Sequence, residues 1–548
     1  MVELPRHYQL AESDTVGDIF SALSSHFSLA SEPEKSVRRI YLDTFDWRLY
    51  QAGAVLYEEK NSRGRWLIWR YLDSAAPKEM QRLDGTLPRF SWDFAPGLLR
   101  ELAGPEMAMR ALLPQVEMRS RVRVLKQLDG EEKTVLRLAL EENSGRPPGR
   151  GEYLPMPSSV VMSPVRGYPK PLAKMEHFLS AELGMLPLAG VQMVDALAVT
   201  GRCPLDYSSK LNFKFKPQTR SDAVARQIHL HLLATMEANL PGTRTNLDSE
   251  FLHDLRVAVR RTRSALTQVK EVFPSEVVES YKTRFAWVGS LTGPTRDMDV
   301  YLLGFDGYRA SLPEQFREDL DPLHNFLLHH QKSEQRAMVR KLNSPHFYTL
   351  IKEWRSYLES PLPDDPVEPS ASRPVAEVAG KRIYRIYQRV MREGLAITSL
   401  SPAADLHELR KSCKKLRYLL EFFQSLYPKK QVRPLIKALK VLLDNLGDFQ
   451  DLEVQANKLR DYAHQMVKEE DVPADTLLVM GMLVDSLLKQ QKQAHDEFAG
   501  RFSSFAKKDI RQTFHTLFAL KKKKGAAKKP KTEKSKVKKS SAKEGAQS

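Results

Sequence analysis

The chain has 548 residues, 42% of them hydrophobic, and a formal net charge of +17. This length predicts two or three domains, and the hydrophobic content is typical of a globular protein in water. The sequence contains no run of about 18 apolar residues, which argues against a membrane span, and its first ten residues lack the pattern of a secretory signal. The two cysteines, Cys203 and Cys413, favour a reducing cytoplasm and predict neither a disulfide framework nor a metal site.

The first 205 residues have the pattern of a β domain. Short runs rich in β-branched and aromatic residues alternate with turns such as NSRG and LDGEE. The predicted strands are VRRIYLDTF, AVLYEEK, RWLIWRYLD, EMRSRVRVLKQ and KTVLRLALEE. A short helix is expected at about residues 173–183, and residues 206–218 are expected to be a linker.

From about residue 219 the apolar residues recur with the 3.6-residue period of helices. Nine helical segments are predicted, beginning AVARQ, EFLHD, YKTRF, PLHNF, VAEVA, LHELR, VRPLI, DLEVQ and ADTLL. The segment ESPLPDDPVEPSASRP has five prolines in sixteen residues. It divides the helical region 219–520 into halves of about 219–360 and 374–520.

The positive charge is concentrated at the C-terminus. Residues 521–548 contain 12 lysines against Glu533 and Glu544, so they supply +10, while the 520 residues before them supply +7. We therefore predict a disordered basic tail. An anion site in the rest of the chain has to be argued from local patterning, because the overall charge there is modest.

The two helical halves share a sequence repeat at a constant offset of 154 residues. The segment HDLRVAVRRTR, which begins at His253, aligns without a gap on HELRKSCKKLR, which begins at His407. The same register pairs Gly293 with Gly447 and continues over about 75 residues. The sequence therefore predicts a duplicated helical unit with pseudo-twofold symmetry.

Each copy of the repeated segment predicts a cationic helix face. At 100° per residue, the side chains of His253, Arg256, Arg260 and Arg263 fall within about 80° of arc, and Arg261 flanks them. The second copy places His407, Arg410, Lys414 and Arg417 in the same way, flanked by Lys411 and Lys415. Like charges four residues apart on a helix repel each other, so we interpret the two faces as halves of one anion-binding groove.

Alternatives remain open for these residues. A basic face can be merely solvated, or paired within the helix with Asp254 and Glu408, and the histidines can be caps or core residues. A histidine among arginines is expected to be neutral at pH 7 and to act as a hydrogen-bond donor. The acidic segments RDMD and QDLE, with Arg296, Asp297 and Asp451, are candidates for orienting the basic side chains or for simple helix-start acids.

A groove with two basic flanks suits a linear polyanion that has a high charge density and carries no sequence information. Arginine and lysine both bind phosphate oxygens well. Aromatic side chains for base stacking are scarce on these faces, with Tyr418 the nearest, which argues against single-stranded nucleic acid.

The helical region resembles the CHAD family, the conserved-histidine α-helical domain. The resemblance covers about residues 219–520 and depends on LHDLRVAVRRTRSAL, LTGPTRDMDV, LHELRKSCKKLRYLLE and LGDFQDLEV in this order. It implies two four-helix-bundle-like halves around a basic channel that binds inorganic polyphosphate. The implied ligands are His253, Arg256, Arg260, Arg261, Arg263, His407, Arg410, Lys411, Lys414, Lys415, Arg417 and Tyr418.

Residues 1–205 resemble the CYTH family, the triphosphate tunnel fold, through RRIYLDTFDWRLYQAGAVLY. This resemblance implies an antiparallel β-barrel or tunnel. Active members carry Glu-x-Glu-x-Lys in their first strand, whereas this chain has RHYQLAES there and VVMSPVR where a later acidic strand is expected. Because converging carboxylates are needed to hold Mg²⁺ or Mn²⁺, we expect a degenerate, inactive tunnel without a cofactor.

The fold expected is thus α+β: an N-terminal tunnel-like sheet domain, then an all-α domain, then a basic tail. The function expected is non-enzymatic binding of polyphosphate in the cytoplasm, on polyphosphate granules. One alternative is a metal-dependent triphosphatase or polyphosphatase in the N-terminal domain. The other is nonspecific DNA or RNA binding through the lysine-rich tail.

Overall fold

The computed structural model describes residues 5–11, 14–74, 76–188, 191–469 and 472–519. The predicted basic tail, residues 521–548, lies outside the described residues. The domain boundaries predicted above stay a prediction.

The N-terminal part of the chain forms one antiparallel sheet that is not closed. Within the described residues its strands are β1 Arg6–Gln9, β2 Leu29–Ser31, β3 Lys35–Asp43, β4 Ala54–Asn61, β5 Gly64–Tyr71, β6 Glu79–Arg82, β7 Leu113–Leu128, β8 Thr134–Arg146, β9 Leu154–Pro155, β10 Ser159–Pro164 and β11 Leu186–Pro187. Their order is β11-β1-β10-β8-β7-β3-β4-β5-β6, with β2 on β7 and β9 on β8.

The predicted sheet domain is confirmed, but the barrel closure that the prediction included is absent. The two ends of the strand order, β6 and β11, do not pair with each other among the described residues. Both are short, with four and two residues. In β11 one of the two is Pro187, which has no N–H to donate to a further strand.

In the ranges that the structure describes, five α-helices accompany the sheet: α1 Val16–His26, α2 Arg48–Gln51, α3 Leu98–Met107, α4 Pro169–His177 and α5 Met193–Ala198. The predicted helix at residues 173–183 corresponds to α4 and the π-helical turn Phe178–Glu182. The first helix was not predicted, although Thr15 forms a capping box with Asp18 at its start.

The helical region that follows contains eleven further helices in the described residues. They are α6 Ser221–Thr245, α7 Ser249–Gln268, α8 Ser275–Leu291, α9 Gly293–Ala310, α10 Asp321–Leu342, α11 Pro345–Glu359, α12 Val375–Ala396, α13 Ala403–Phe423, α14 Lys429–Glu469, α15 Ala474–Phe505 and α16 Lys508–Phe518. The described helices number six before the proline-rich linker and five after it. None of the helices in the described ranges has the length and apolar character needed to cross a membrane.

One helix replaces two that the sequence predicted. The segments VRPLI and DLEVQ both lie in α14, which continues through Gly447 for 41 residues. In the first copy of the repeat, α8 ends at Leu291 and α9 begins at Gly293, where Pro294 follows. Proline has no N–H and favours a helix start, whereas the second copy has Asp448 there and the helix continues.

The two halves pack into common cores. The larger core combines residues of α6, α7 and α8 with residues of α12, α13 and the first part of α14. A second core joins α9 and α10 to the end of α14 and the start of α15. The halves therefore do not form separate bundles, because each buries its apolar face against the other.

Contacts between repeat-equivalent residues show the pseudo-twofold axis directly. The N–H of Ser221 donates to the carbonyl of Arg373 at 3.0 Å, and the N–H of Val375 donates to the carbonyl of Thr219 at 2.9 Å. The two bonds are equivalent in the repeat, because Val375 is the equivalent of Ser221 and Arg373 is the equivalent of Thr219. A twofold axis requires such a reciprocal pair of contacts. Tyr301 Oη also donates to the carbonyl of Gln455, its own equivalent, at 3.1 Å. The predicted symmetry is thus present.

The sheet domain is anchored to the start of α7 by a buried arginine. The guanidinium of Arg110 lies 2.6 Å from Asp254 Oδ2 and 3.4 Å from Asp248 Oδ1. The N–H of Ala111 donates to Asp248 Oδ2 at 2.9 Å. Asp248 is also the N-cap of α7, whose first free N–H groups it accepts. The sheet domain and the cap of this helix therefore form one hydrogen-bonded unit.

Candidate functional site

The first cationic face is carried by α7. The side chain of Asp248 caps the helix, and Leu255, Val259 and Leu266 are buried in the larger core. This packing fixes the rotation of the helix, so the opposite side presents the basic residues. Arg260 is exposed, and His253, Arg256, Arg261 and Arg263 are half-buried.

The second cationic face is carried by α13, which packs directly against α7. Leu409, Cys413 and Leu416 anchor it in the core. His407, Arg410, Lys414, Lys415, Arg417 and Tyr418 are half-buried, and Lys411 is exposed. Tyr418 also packs against the apolar core.

Five cations from the two helices form what we call the cationic seam: Arg256, Arg260, Arg410, Lys414 and Arg417. Burial, and then the charges of Arg410 and Arg260, lower the pKa of Lys414 to about 8. Burial, and then the charge of Arg260, also lower the pKa of Arg256. The charge of Arg260 on α7 thus acts on Lys414, its repeat equivalent on α13. The positive charge of the seam is not fully balanced within the protein.

Some arginines of the seam have fixed positions. One Nη of Arg256 donates to the carbonyl of Gly289 at 3.0 Å and to Thr292 Oγ1 at 2.9 Å. Arg410 donates to Gln450 and forms an ion pair with Asp451 at 3.0 Å. Such anchored guanidiniums are preorganised for a ligand, because little rotational freedom is left to lose.

The repeated glycines lie beneath these two arginines. A Cβ atom added at Gly293 would be 3.8 Å from Arg256 Nη1, and one added at Gly447 would be 3.7 Å from Arg410 Nη2. The glycines therefore occupy equivalent places in the two copies, which accounts for their alignment in the repeat.

His253 is a neutral donor in this arrangement. A guanidinium only donates hydrogen bonds, so the 3.2 Å contact between Arg296 Nη2 and His253 Nδ1 requires that Nδ1 accept. The proton of the neutral ring is then on Nε2. Burial is the first cause that lowers the pKa of His253, and the charge of Arg296 adds to it. In the second copy Gln450 replaces Arg296 and bonds to Arg410 instead, so His407 lacks this partner.

The acids next to the repeated histidines have different partners. Asp254 forms an ion pair with Arg110 of the sheet domain, not with a cation of its own helix. Glu408 pairs within its helix with Lys411 at 2.8 Å, and both side chains are at least half exposed. Pairing within the helix therefore accounts for Lys411 and, through Glu421, for Arg417, but not for the other four cations of the seam.

The flanking residues connect the two copies. The side chain of Glu421 lies 3.4 Å from Arg261 and 2.6 Å from Arg417. An Nη of Arg261 also donates to the carbonyl of Ser209 at 3.0 Å. Arg261 thus has a structural role as well as a place in the predicted ligand set. Glu421 was not singled out in the sequence, because its repeat equivalent is Thr267 and only the cations were compared.

The acidic candidates are placed near the seam. Asp451 forms an ion pair with Arg410. Its repeat equivalent, Asp297, acts to raise the pKa of Arg256, but burial and the charge of Arg260 lower this pKa more strongly. Burial raises the pKa of Asp297 itself. Both carboxylates therefore orient or partly neutralise a seam arginine.

The interior of the sheet domain is neutralised by its own side chains. Arg39 lies 2.9 Å from Glu59 and 3.5 Å from Glu141, and its Nη1 donates to Gln192. Arg39, Glu141 and Gln192 line a cavity of about 190 Å³ that also contacts His7 and Arg70. No three His, Cys, Asp or Glu side chains converge to hold a metal ion in the described ranges.

Comparison with known proteins identifies the helical region. Residues 227–460 match the family model for the CHAD domain, within the range of 219–520 predicted above. No curated protein matches the chain. The assignment depends on the family model alone.

Similar solved structures include the CHAD domain from the plant Ricinus communis, with 23% identity, 57% of this chain and 97% of that chain covered, and a TM-score of 0.45. PptA from Streptomyces chartreusis has 16% identity over 52% of this chain and 99% of that chain, with a TM-score of 0.41. A Hippeastrum protein described as having a dominant triphosphatase activity has 13% identity over 38% of this chain and 100% of that chain, with a TM-score of 0.27.

Proposed function

We propose that this protein, which carries a CHAD domain over residues 227–460, binds inorganic polyphosphate along the cationic seam and associates through it with polyphosphate granules. The observation that carries the proposal is the clustering of five cations on the packed helices α7 and α13. There burial, and then the charges of Arg410 and Arg260, lower the pKa of Lys414 to about 8. Five cations in two neighbouring rows, four of them half-buried, suit a ligand that repeats its negative charge along its length.

Charge reversal tests the proposal. We expect Arg260→Glu and Lys414→Glu each to weaken polyphosphate binding by roughly 10- to 100-fold, the effect of losing one charge-assisted contact. Matched reversals at the exposed cations Arg336 and Lys352, on α10 and α11, should leave affinity within about twofold. Unchanged affinity in the first pair would contradict the proposal. The measurements are made in the full chain and in a chain without residues 521–548.

The sheet domain is proposed to have no catalytic activity. Its interior acids Glu59 and Glu141 are paired with Arg39, and Glu117 is bound by Arg38 and Arg146. Carboxylates held by arginine are poor ligands for Mg²⁺, since the metal would have to displace the guanidinium. Metal-dependent release of phosphate from tripolyphosphate by the full chain would overturn this part of the proposal and favour the triphosphatase alternative.

Nucleic-acid binding is assigned to the tail as the second alternative. Twelve lysines in residues 521–548 bind any polyanion by counterion release. If the tail is the only nucleic-acid element, its deletion abolishes DNA binding and leaves polyphosphate binding in place. Loss of both would contradict a specific seam.

A further inference from the structure

The sheet domain covers the start of α7, the helix that carries the first cationic face. Where α7 begins, the two domains enclose a cavity of about 370 Å³. Its walls are Asp46, Arg48, Gln51 and Arg110 of the sheet domain, Ser208, Ser209 and Lys210 of the linker, and Glu250, His253 and Asp254 of α7. His253 thus lies both on the cationic face of α7 and in the cavity wall, about one helical turn before the seam residue Arg256.

The equivalent position in the second copy, at the start of α13, is exposed. The residue next to His253, Asp254, is covered by the sheet domain, and its side chain is 11% exposed. Its repeat equivalent Glu408, next to His407, is 66% exposed. Two symmetric binding faces therefore have unlike ends, one blocked by the sheet domain and one facing solvent. A linear ligand that follows the seam must stop at the blocked end.

The cavity offers both donors and an acceptor. Asp46 and Asp254 are held by Arg110, at 3.5 and 2.6 Å, and Asp46 is also held by Arg48. Glu250 is only loosely paired, at 3.7 Å from Arg48. Further donors in the wall include the hydroxyls of Ser208 and Ser209. They also include the Nε2–H of His253 and the exposed ammonium of Lys210, which lies 3.4 Å from Gln51 Oε1.

This mixture distinguishes the two kinds of phosphate in a polyphosphate chain. An internal unit presents only acceptor oxygens. A terminal unit has one further oxygen that ionises with a pKa near that of phosphate esters, about 6, so it either carries an additional negative charge or donates a hydrogen bond. Lys210 and His253 suit the charged form, and the loosely paired Glu250 accepts from the protonated form.

We infer that the cavity binds the terminal phosphate of a linear polyphosphate chain whose next units lie along the seam. The inference depends on the proposed function. It assigns the sheet domain a role in recognition of the chain end, without catalysis. It also gives the bound polyphosphate a direction. Its terminal phosphate lies near His253, and the rest of the chain extends toward His407.

Binding of capped and uncapped chains to the full-length protein tests the inference. The probes are a long linear polyphosphate and the same polyphosphate with both ends converted to phosphoramidates by a small neutral amine. We expect the capped chain to bind at least about tenfold more weakly, the loss of one charge-assisted contact. Linear tripolyphosphate should compete with the uncapped chain, and cyclic trimetaphosphate, which has no end, should compete poorly.

Substitutions in the cavity wall test whether the preference for uncapped chains arises there. Lys210→Glu and Gln51→Glu, at two exposed positions of the wall, should remove the preference for uncapped chains and leave the affinity for capped chains within about twofold. The control is Lys214→Glu, an exposed lysine of the same linker outside the cavity wall, and it should keep the preference. Thermal melts of all variants establish that they fold.

The outcomes separate the two proposals. Equal binding of capped and uncapped chains, with Arg260→Glu and Lys414→Glu still defective, would overturn end recognition and leave the seam in place. Polyphosphate binding that is unchanged by Arg260→Glu and Lys414→Glu would overturn both end recognition and binding along the seam. A preference for uncapped chains that survives Lys210→Glu and Gln51→Glu would show that the end is bound elsewhere.

Discussion

Lys414 is a residue whose position costs stability. Its folded pKa of about 8 is below the ordinary value of 10.5 because burial and the neighbouring Arg410 and Arg260 disfavour its charge. The native state therefore holds fewer protons than the unfolded state between about pH 8 and 10.5. The penalty is fully present below pH 8, and it fades as the pH rises through this window.

We therefore expect Lys414→Met to raise the free energy of unfolding at pH 7 by about 1 kcal/mol, a figure reduced for solvent screening of a half-buried group. Urea unfolding at pH 7 and at pH 10 measures this, and the gain should shrink at the higher pH. The same variant should bind polyphosphate more weakly. A variant that loses stability at pH 7 would contradict the assignment of repulsion to this site.

The same lysine predicts a pH dependence of binding. A phosphate beside Lys414 raises its pKa again, so binding above about pH 8 takes up a proton. Affinity should then fall by at most about tenfold per pH unit above pH 8. Isothermal titration in buffers of different ionisation enthalpy measures the proton uptake. Lys414→Arg is the control, because its guanidinium stays charged and the decline should disappear.

At the scale of elements, Gly242 in α6 determines how closely α7 approaches. A Cβ at this position would lie 2.4 Å from the ring of Phe251, two residues before His253. We expect Gly242→Ala to lower the free energy of unfolding by about 1–3 kcal/mol, the usual cost of overpacking. In the control Gly481→Ala, in α15, the new Cβ meets nothing within 4 Å, so the variant should gain about 0.5–1 kcal/mol. Chemical denaturation measures both.

The elements also show what the sequence can and cannot predict. The period of apolar residues predicted α7 and α13, and the phase of their charges predicted which side chains lie together. The break expected between the segments VRPLI and DLEVQ is absent, because packing against both cores outweighs the roughly 1 kcal/mol that Gly447 costs within a helix. The helix α11 was not predicted, although its buried residues Phe347, Leu350, Trp354 and Leu358 recur with the helical period.

At the scale of the whole molecule, the contact between the domains had no signature in the sequence. Asp254 was considered only as a partner for cations of its own helix, since Arg110 is 144 residues away and belongs to another domain. Long-range ion pairs leave no periodic pattern, whereas the repeat does. The symmetry of the helical region was therefore predictable, and the asymmetry that the sheet domain imposes on it was not.

Arg110 should then control the docking of the two domains. Its removal leaves Asp248 and Asp254 buried without their cation, which costs about 3–5 kcal/mol when one partner of a buried pair is lost. We expect Arg110→Ala to lower stability by this order and to expose the linker 206–218 to limited proteolysis. Adding Asp254→Asn to Arg110→Ala should recover at least about 1 kcal/mol, since one of the two unpaired charges is then gone. If the double variant is no more stable than Arg110→Ala alone, the ion pair does not hold the domains together.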